Sequence, residues 1–148
     1  MPDKDEFSLQ DFLPYLLNLA AEESSLSFQR VYKNRYGMLR TEWRVLFHLG
    51  TYGEMTATEI CDKARIHKTK ISRAVQKLVD RRFLVRERSD EDRRVEKLKL
   101  TTAGHAAFRD LRAVAEDYEE KLRAQFTTGE VALLRVMLRR LAGLDDPK

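Results

Sequence analysis

Between about residues 9 and 35, Phe12, Leu16, Leu19, Leu26 and Val31 recur among polar residues at helical spacing, and Pro14 stands where a helix start tolerates it. This predicts one long amphipathic helix, open to interruption near Ser24 and Ser25. The stretch RYGML breaks the pattern, after which Thr41 can cap a short helix over EWRVLFHL that stops before Gly50. TYGEM reads as a loop. In TATEICDKA, Thr56 and Glu59 have the spacing of a capping box, in which each side chain accepts the other residue's backbone N–H, so a second short helix begins there. Arg65 and Ile66 are left as a tight turn.

The next segment, ARIHKTKISRAVQKLVDRRF, sets Ile71, Ala74, Val75, Leu78 and Val79 within about a third of a helix circumference. It turns Thr69, Arg73, Gln76 and Asp80 the other way, with Lys70 and Lys77 beside them. One face is predicted to pack and the other to be offered outward. FLVRER and VEKLKL have strand character around the charged, turn-forming SDEDRR, which predicts a β-hairpin with a basic tip. Glu87 and Glu96 interrupt the alternation, so the strand limits are loose. Thr101 or Thr102 can cap a long helix to about Phe126, with Leu111, Val114, Ala115, Tyr118, Leu122 and Phe126 on one stripe. Thr127 and Glu130 repeat the capping-box spacing and open a final helix to about Ala142. That helix carries Val131, Leu133, Leu134, Val136, Met137, Leu138 and Leu141 nearly all round. A terminal helix cannot bury all of these in a small monomer, so the first helix and the last two are expected to form an interface with a second copy.

Charge sharpens the picture. The net charge is only +4, but residues 63–99 hold 14 basic residues against 6 acidic ones, a local +8 that leaves −4 for the rest. A basic segment in an otherwise acidic chain is the footprint of a phosphate-backbone binder, with a solvated charged face as the alternative. At 148 residues and 17.4 kDa the chain fits one domain with a substantial core. It has no apolar run long enough to span a bilayer, and MPDKDEFSLQ begins with charges instead of a basic region followed by an apolar one, so a soluble, unexported protein is expected. The single cysteine, Cys61, cannot form an internal disulfide, in keeping with a reducing cytoplasm.

A short helix, a tight turn, an amphipathic basic helix and a basic hairpin in that order describe a winged helix-turn-helix. Across TATEICDKARIHKTKISRAVQKLVDRRFLVRERSDEDRRVEKLKLTTAG the chain resembles the MarR family of bacterial transcription regulators. Ser72, Val75 and Leu78 match the T/S-x-x-V-x-x-L core of that family's recognition helix, followed by RRFLVRE. Asp92, Arg94, Leu98, Leu100, Thr101 and Gly104 match its wing phrase and the helix start after it. The resemblance covers nearly the whole chain. It implies a mainly α fold with a small β-hairpin wing, a single domain over 1–148, with a winged helix-turn-helix lobe at about 41–100 and dimerization helices at about 9–35 and 102–144.

It also implies a homodimer on double-stranded DNA, its recognition helices in successive major grooves of a pseudo-palindrome and its wings at the neighbouring minor grooves. On the matching positions, His67, Lys68, Thr69, Lys70, Ser72, Arg73, Gln76 and Lys77 face DNA. Arg73 and Gln76 suit guanine and adenine edges, while Lys70 and Lys77 suit phosphates. In the wing, Arg93 and Arg94 are the minor-groove candidates, and Asp92 is expected to hold an arginine by an ion pair. Many members carry Asp or another small capping residue where this chain has His67. Histidine is a poorer cap; here it is either a cation near phosphate or an exposed loop residue.

The resemblance further implies a repressor released by a small molecule, commonly an aromatic carboxylate or phenol, held where the dimerization helices meet the DNA-binding lobe. The matching positions, Tyr36, Arg40, Trp43, Arg44, Phe47 and His48, combine aromatic surface with cations. Core packing of Trp43 and Phe47 beside solvated arginines is the alternative. An acyl-CoA is a further candidate effector. Cys61 offers a redox trigger, but peroxide-sensing members keep that cysteine in the first helix, and a buried inert thiol is the simpler reading. An enzyme would need a convergent constellation. His48, His67 and His105 fall on separate elements, and HExxH, CxxC, a phosphate-cradling glycine loop and a nucleophile elbow are all absent from the sequence. No cofactor or metal is expected, since Cys61 and His67 form no recognised ligand set. A winged-helix module that docks an acidic protein is the competing reading.

Overall fold

The computed structural model describes residues 6–144, so the first five residues of the charged opening lie outside it. A 3-10 turn at Leu9–Asp11 leads into helix α1, Leu13–Tyr36, with Pro14 in its first turn, where the missing N–H costs nothing. Helix α1 is the one long helix expected, and it is continuous through Ser24 and Ser25. Their hydroxyls donate to the carbonyls of Ala21 (3.3 Å) and Glu22 (3.1 Å), so both side chains find partners inside the helix instead of breaking it. Gly37, in the left-handed conformation at φ +62°, ends it.

Helix α2, Arg40–Tyr52, is longer at both ends than EWRVLFHL. The Glu42 carboxylate accepts the Leu39 N–H at 2.6 Å, so the cap forms ahead of Thr41, which falls inside the first turn. At the other end Gly50 stays helical because it lies against Phe108, whose ring would sit 2.4 Å from any Cβ there. The break comes at Gly53, at φ +83° and ψ −157°. Strand β1, Met55–Thr56, occupies part of the expected TYGEM loop. Thr56 caps α3, Ala57–Ala64, through the expected box with Glu59, whose N–H it accepts at 3.1 Å. Left-handed Arg65, at φ +54°, then turns the chain into α4, Lys68–Asp80.

Ile71, Ala74, Val75 and Leu78 of α4 are buried as their spacing predicts, while Val79, at the edge of the stripe, is half-buried. They share one core with Val45, Leu46 and Leu49 of α2 and with Ile60 of α3. Strands β2, Leu84–Arg88, and β3, Glu96–Leu100, form the expected hairpin, and β1 adds to β3 to give an antiparallel sheet in the order β1-β3-β2. Thr101 caps α5, Thr102–Arg123, accepting the Gly104 N–H at 3.0 Å while its own hydroxyl donates to the Arg82 carbonyl at 2.7 Å. Thr127 and Glu130 cap α6, Thr128–Ala142, reciprocally. The fold is a mainly helical winged helix with a small three-stranded sheet.

The chain divides into two compact units, Met1–Arg112 and Ala113–Lys148. The first holds the core just described, and near its start Phe7, Leu9, Phe12, Leu13, Leu16 and Leu19 are exposed. In the second, Arg135 pairs with Glu119 at 2.9 Å. Helix α6 there buries no residue and leaves Leu133 58% and Leu141 65% exposed.

Candidate nucleic-acid interface

Because the apolar stripe of α4 is locked in the core, its other face is fixed outward. Lys68, Thr69, Lys70, Ser72, Arg73, Gln76 and Lys77 are all exposed. His67 occupies the N-cap, where its Nδ1 accepts the Thr69 N–H at 3.3 Å. The lone pair engaged there is the one a proton would take, so this cap uses the neutral ring with its hydrogen on Nε2.

Gln76 is held at both ends of its amide. Its nitrogen donates to Asp80 at 2.8 Å and its oxygen accepts from Arg86 at 2.8 Å, while Arg86 also meets Glu96 at 3.3 Å. This chain of side chains ties α4 to both long wing strands. Arg86 and Glu96 were missed in the sequence because partners ten positions apart on different elements leave no periodic signal. At the wing tip, the Ser89 hydroxyl accepts the N–H groups of Glu91 (3.3 Å) and Asp92 (3.4 Å). Asp92 Oδ1 accepts both the backbone N–H of Arg94 (3.0 Å) and its Nε–H (3.2 Å). Asp92 therefore holds Arg94, whose side chain is 92% exposed, and Arg93 is exposed beside it.

Residues 36–95, from the end of α1 to the wing tip, match the sequence model of the MarR family. Over that stretch the chain is similar to the MarR family. It is 28% identical over 91 residues to YwoH of Bacillus subtilis (strain 168), an uncharacterized HTH-type transcriptional regulator; the match spans 62% of this chain and 66%, just under two thirds, of that protein. The MarR family transcriptional regulator SPO1453 from Silicibacter pomeroyi DSS-3 is 27% identical, with a TM-score of 0.76 over 92% of this chain and 99% of that one. Bordetella bronchiseptica BpsR, whose DNA binding is regulated by 6-hydroxynicotinic acid, shares the fold at 18% identity, with a TM-score of 0.85 over 95% and 99% of the two chains.

Each of the six positions expected to hold an effector has a packing or hydrogen-bond partner within the protein. Trp43 and Phe47 belong to an aromatic cluster: Trp43 stacks on Tyr32 at 5.6 Å, Phe28 meets Trp43 edge-on at 5.1 Å, and Phe47 meets Phe108 edge-on at 5.1 Å. The Trp43 indole N–H is buried with no partner among the described residues. Arg40, Arg44 and His48, spaced four apart, run along α2 beside Trp43 and Phe47. Arg40 donates to the Ser25 hydroxyl at 3.3 Å and lies close enough to Tyr32 to temper the upward push that burial gives its phenol. Arg44 donates to the Ala64 carbonyl at 2.6 Å, and His48 Nδ1 lies 2.6 Å from the Arg44 carbonyl.

Tyr36 turns elsewhere. Its hydroxyl donates to Asp110 at 2.6 Å, its ring meets Phe83 edge-on, and its carbonyl accepts from Arg81, the residue that follows α4. Burial, then the Asp110 hydrogen bond and charge, push the Tyr36 phenol up to about 12. Hydrogen bonds from Tyr36 and from Arg35 hold the Asp110 carboxyl below its ordinary value. Cys61 is half-buried on α3. Among the described residues no cluster of His, Cys, Asp and Glu is placed to hold a metal ion, and no helix is long and apolar enough to cross a membrane.

Proposed function

We propose that this chain is a member of the MarR family and a sequence-specific DNA-binding transcription regulator acting in the cytoplasm, a homodimeric repressor on a pseudo-palindromic operator. The observation that carries the reading is the exposed polar row from Lys68 to Lys77 on a helix whose opposite face is locked in the core. Set in the major groove, Arg73 offers a guanidinium fork to guanine O6 and N7. Gln76, preset by Asp80 and Arg86, offers its amide to an adjacent base. Lys68, Lys70 and Lys77 meet phosphates, with His67, Thr69 and Ser72 close to the backbone. Arg94, steadied by Asp92, and Arg93 reach the minor groove from the wing.

A second copy covers the apolar faces exposed at the start of the chain and on α6. A small aromatic acid, a phenol or an acyl-CoA releases the operator, with Arg40 as the cation and the Trp43 and Phe47 cluster as the ring surface. Tyr36, Arg44 and His48, engaged with protein partners, position the ends of α1 and α2 around it. Selection of bound sites from random duplex DNA tests the reading. Inverted repeats with half-site centres about 34–36 Å apart, occupied by two copies, are expected. Sites without inverted symmetry, or a chain monomeric at micromolar concentration, would contradict it.

A further inference from the structure

Between the start of α2, the turn joining α3 to α4, and the start of α4 lies an open cleft of about 310 Å³. Five of its seven lining residues are basic: Arg40 and Arg44 from α2, Arg65 from the turn, His67 at the cap and Lys70 from α4. Thr41 and Ile66 complete the wall, which carries no carboxylate. Arg40, Arg44 and Lys70 gather like charges that repel one another, a repulsion that an anion among them would relieve. The strain registers on Arg44, whose guanidinium is held below its ordinary value first by burial and then by the charge of Arg40. One Arg44 N–H is anchored on the Ala64 carbonyl, which fixes where the guanidinium stands in the cleft.

The lining also selects the kind of anion. Guanidinium forks pair bidentately with phosphate or carboxylate oxygens. A compact group with two or more negative charges offsets several of these cations at once. An aromatic monocarboxylate would offset one, and its ring would find a single aliphatic side chain, Ile66, because Trp43 and Phe47 do not line this cleft. His67 and Lys70 belong both to this wall and to the outward face of α4.

We propose that this cleft binds a compact phosphate-type polyanion, and that its occupant takes His67 and Lys70 away from the DNA backbone, so that anion and operator compete directly. The competition rests on the DNA-binding reading above; the anion site does not. The same chemistry could be met by a free phosphorylated metabolite or by a backbone phosphate, and the proposal is for the free anion.

Inorganic pyrophosphate is the probe, titrated calorimetrically into the full chain at constant ionic strength, with benzoate as the aromatic comparison. Saturable binding at one site per chain is expected for pyrophosphate, and Arg65→Gln and Arg44→Lys should each weaken it by about tenfold or more while thermal midpoints hold. The apparent Kd for the preferred duplex should rise linearly with pyrophosphate. That rise should vanish in Arg65→Gln, whose duplex affinity without pyrophosphate stays within about threefold of wild type.

Benzoate binding the cleft as well as pyrophosphate, or pyrophosphate not saturating, would overturn the proposal. So would equal losses of duplex and pyrophosphate affinity in Arg65→Gln, which would assign the cleft to a backbone phosphate. A chain that takes up pyrophosphate through Arg65 and Arg44 but binds no duplex would support the site and contradict the DNA-binding reading. A chain that binds duplex but no pyrophosphate would overturn the site alone.

Discussion

Replacing Gly104 with alanine tests whether the wing is seated on α5 by direct backbone contact. A Cβ at this position would stand 2.0 Å from the Phe83 carbonyl oxygen and 3.0 Å from its carbon. An ordinary C···O contact is about 3.3 Å or more, so the two backbones would have to separate by roughly 1 Å. That carbonyl already accepts the Thr101 N–H at 3.0 Å, and Thr101 in turn bonds Arg82 at 2.7 Å and Gly104 at 3.0 Å. The displacement therefore strains three hydrogen bonds at the root of the wing. Overpacking costs about 1–3 kcal/mol and sometimes more, while the better helix propensity of alanine offsets at most about 1 kcal/mol. The obstacle is backbone and cannot rotate aside, which places the net loss near about 2 kcal/mol. Urea titrations followed by far-UV circular dichroism would measure it, with Gly129→Ala as the control. Nothing lies within 4 Å of a Cβ at Gly129, so that substitution in α6 should gain about 0.5–1 kcal/mol. A Gly104→Ala protein within about 0.5 kcal/mol of wild type would refute the close approach.

Arg73→Ala should cost about 1–3 kcal/mol on the preferred duplex and flatten sequence preference, whereas Lys77→Ala should weaken every duplex alike and reduce the salt slope by about 1. Equal losses on specific and random DNA for Arg73→Ala would remove its base-reading role. His67→Ala should lower stability by about 1 kcal/mol through the lost cap, and His67→Asn should restore it. Equal stability of the two variants would show the cap to be idle. The Tyr36 phenol, raised from 10.0 to about 12, keeps its proton longer in the folded chain, so its contribution to stability is complete below pH 10 and is lost between about pH 10 and 12. Tyr36→Phe should flatten that alkaline decline, and identical alkaline slopes would count against the half-buried Tyr36–Asp110 contact.

Elements specified by neighbouring residues were legible in the sequence. Thr56 with Glu59 and Thr127 with Glu130 announced two helix starts, and the spacing of Ile71, Ala74, Val75 and Leu78 fixed which face of α4 is buried, hence which residues point outward. Features decided by distant partners were not legible. Gly50 read as a helix end because the ring of Phe108, which makes a side chain there impossible, lies 58 residues away in the chain. Met55–Thr56 is too short to show a period, and only its pairing with β3 makes it a strand. The effector positions share a stretch of sequence, but the partners each side chain finds come from elsewhere in the chain: Trp43 and Phe47 join Phe28, Tyr32 and Phe108, while Tyr36 bonds Asp110. The basic cleft escaped notice for the same reason: its four cations and His67 come from α2, a turn and the start of α4, and only the fold brings them together.

Equilibrium binding to a selected duplex and to a random duplex of equal length, measured across a salt series, tests the proposed function most directly. The expected result is a steep negative log-log salt slope from several phosphate contacts, with the selected site bound about a thousandfold or more tightly than the random one at physiological salt. Salt-independent binding, or equal affinity for both duplexes throughout the series, would contradict it.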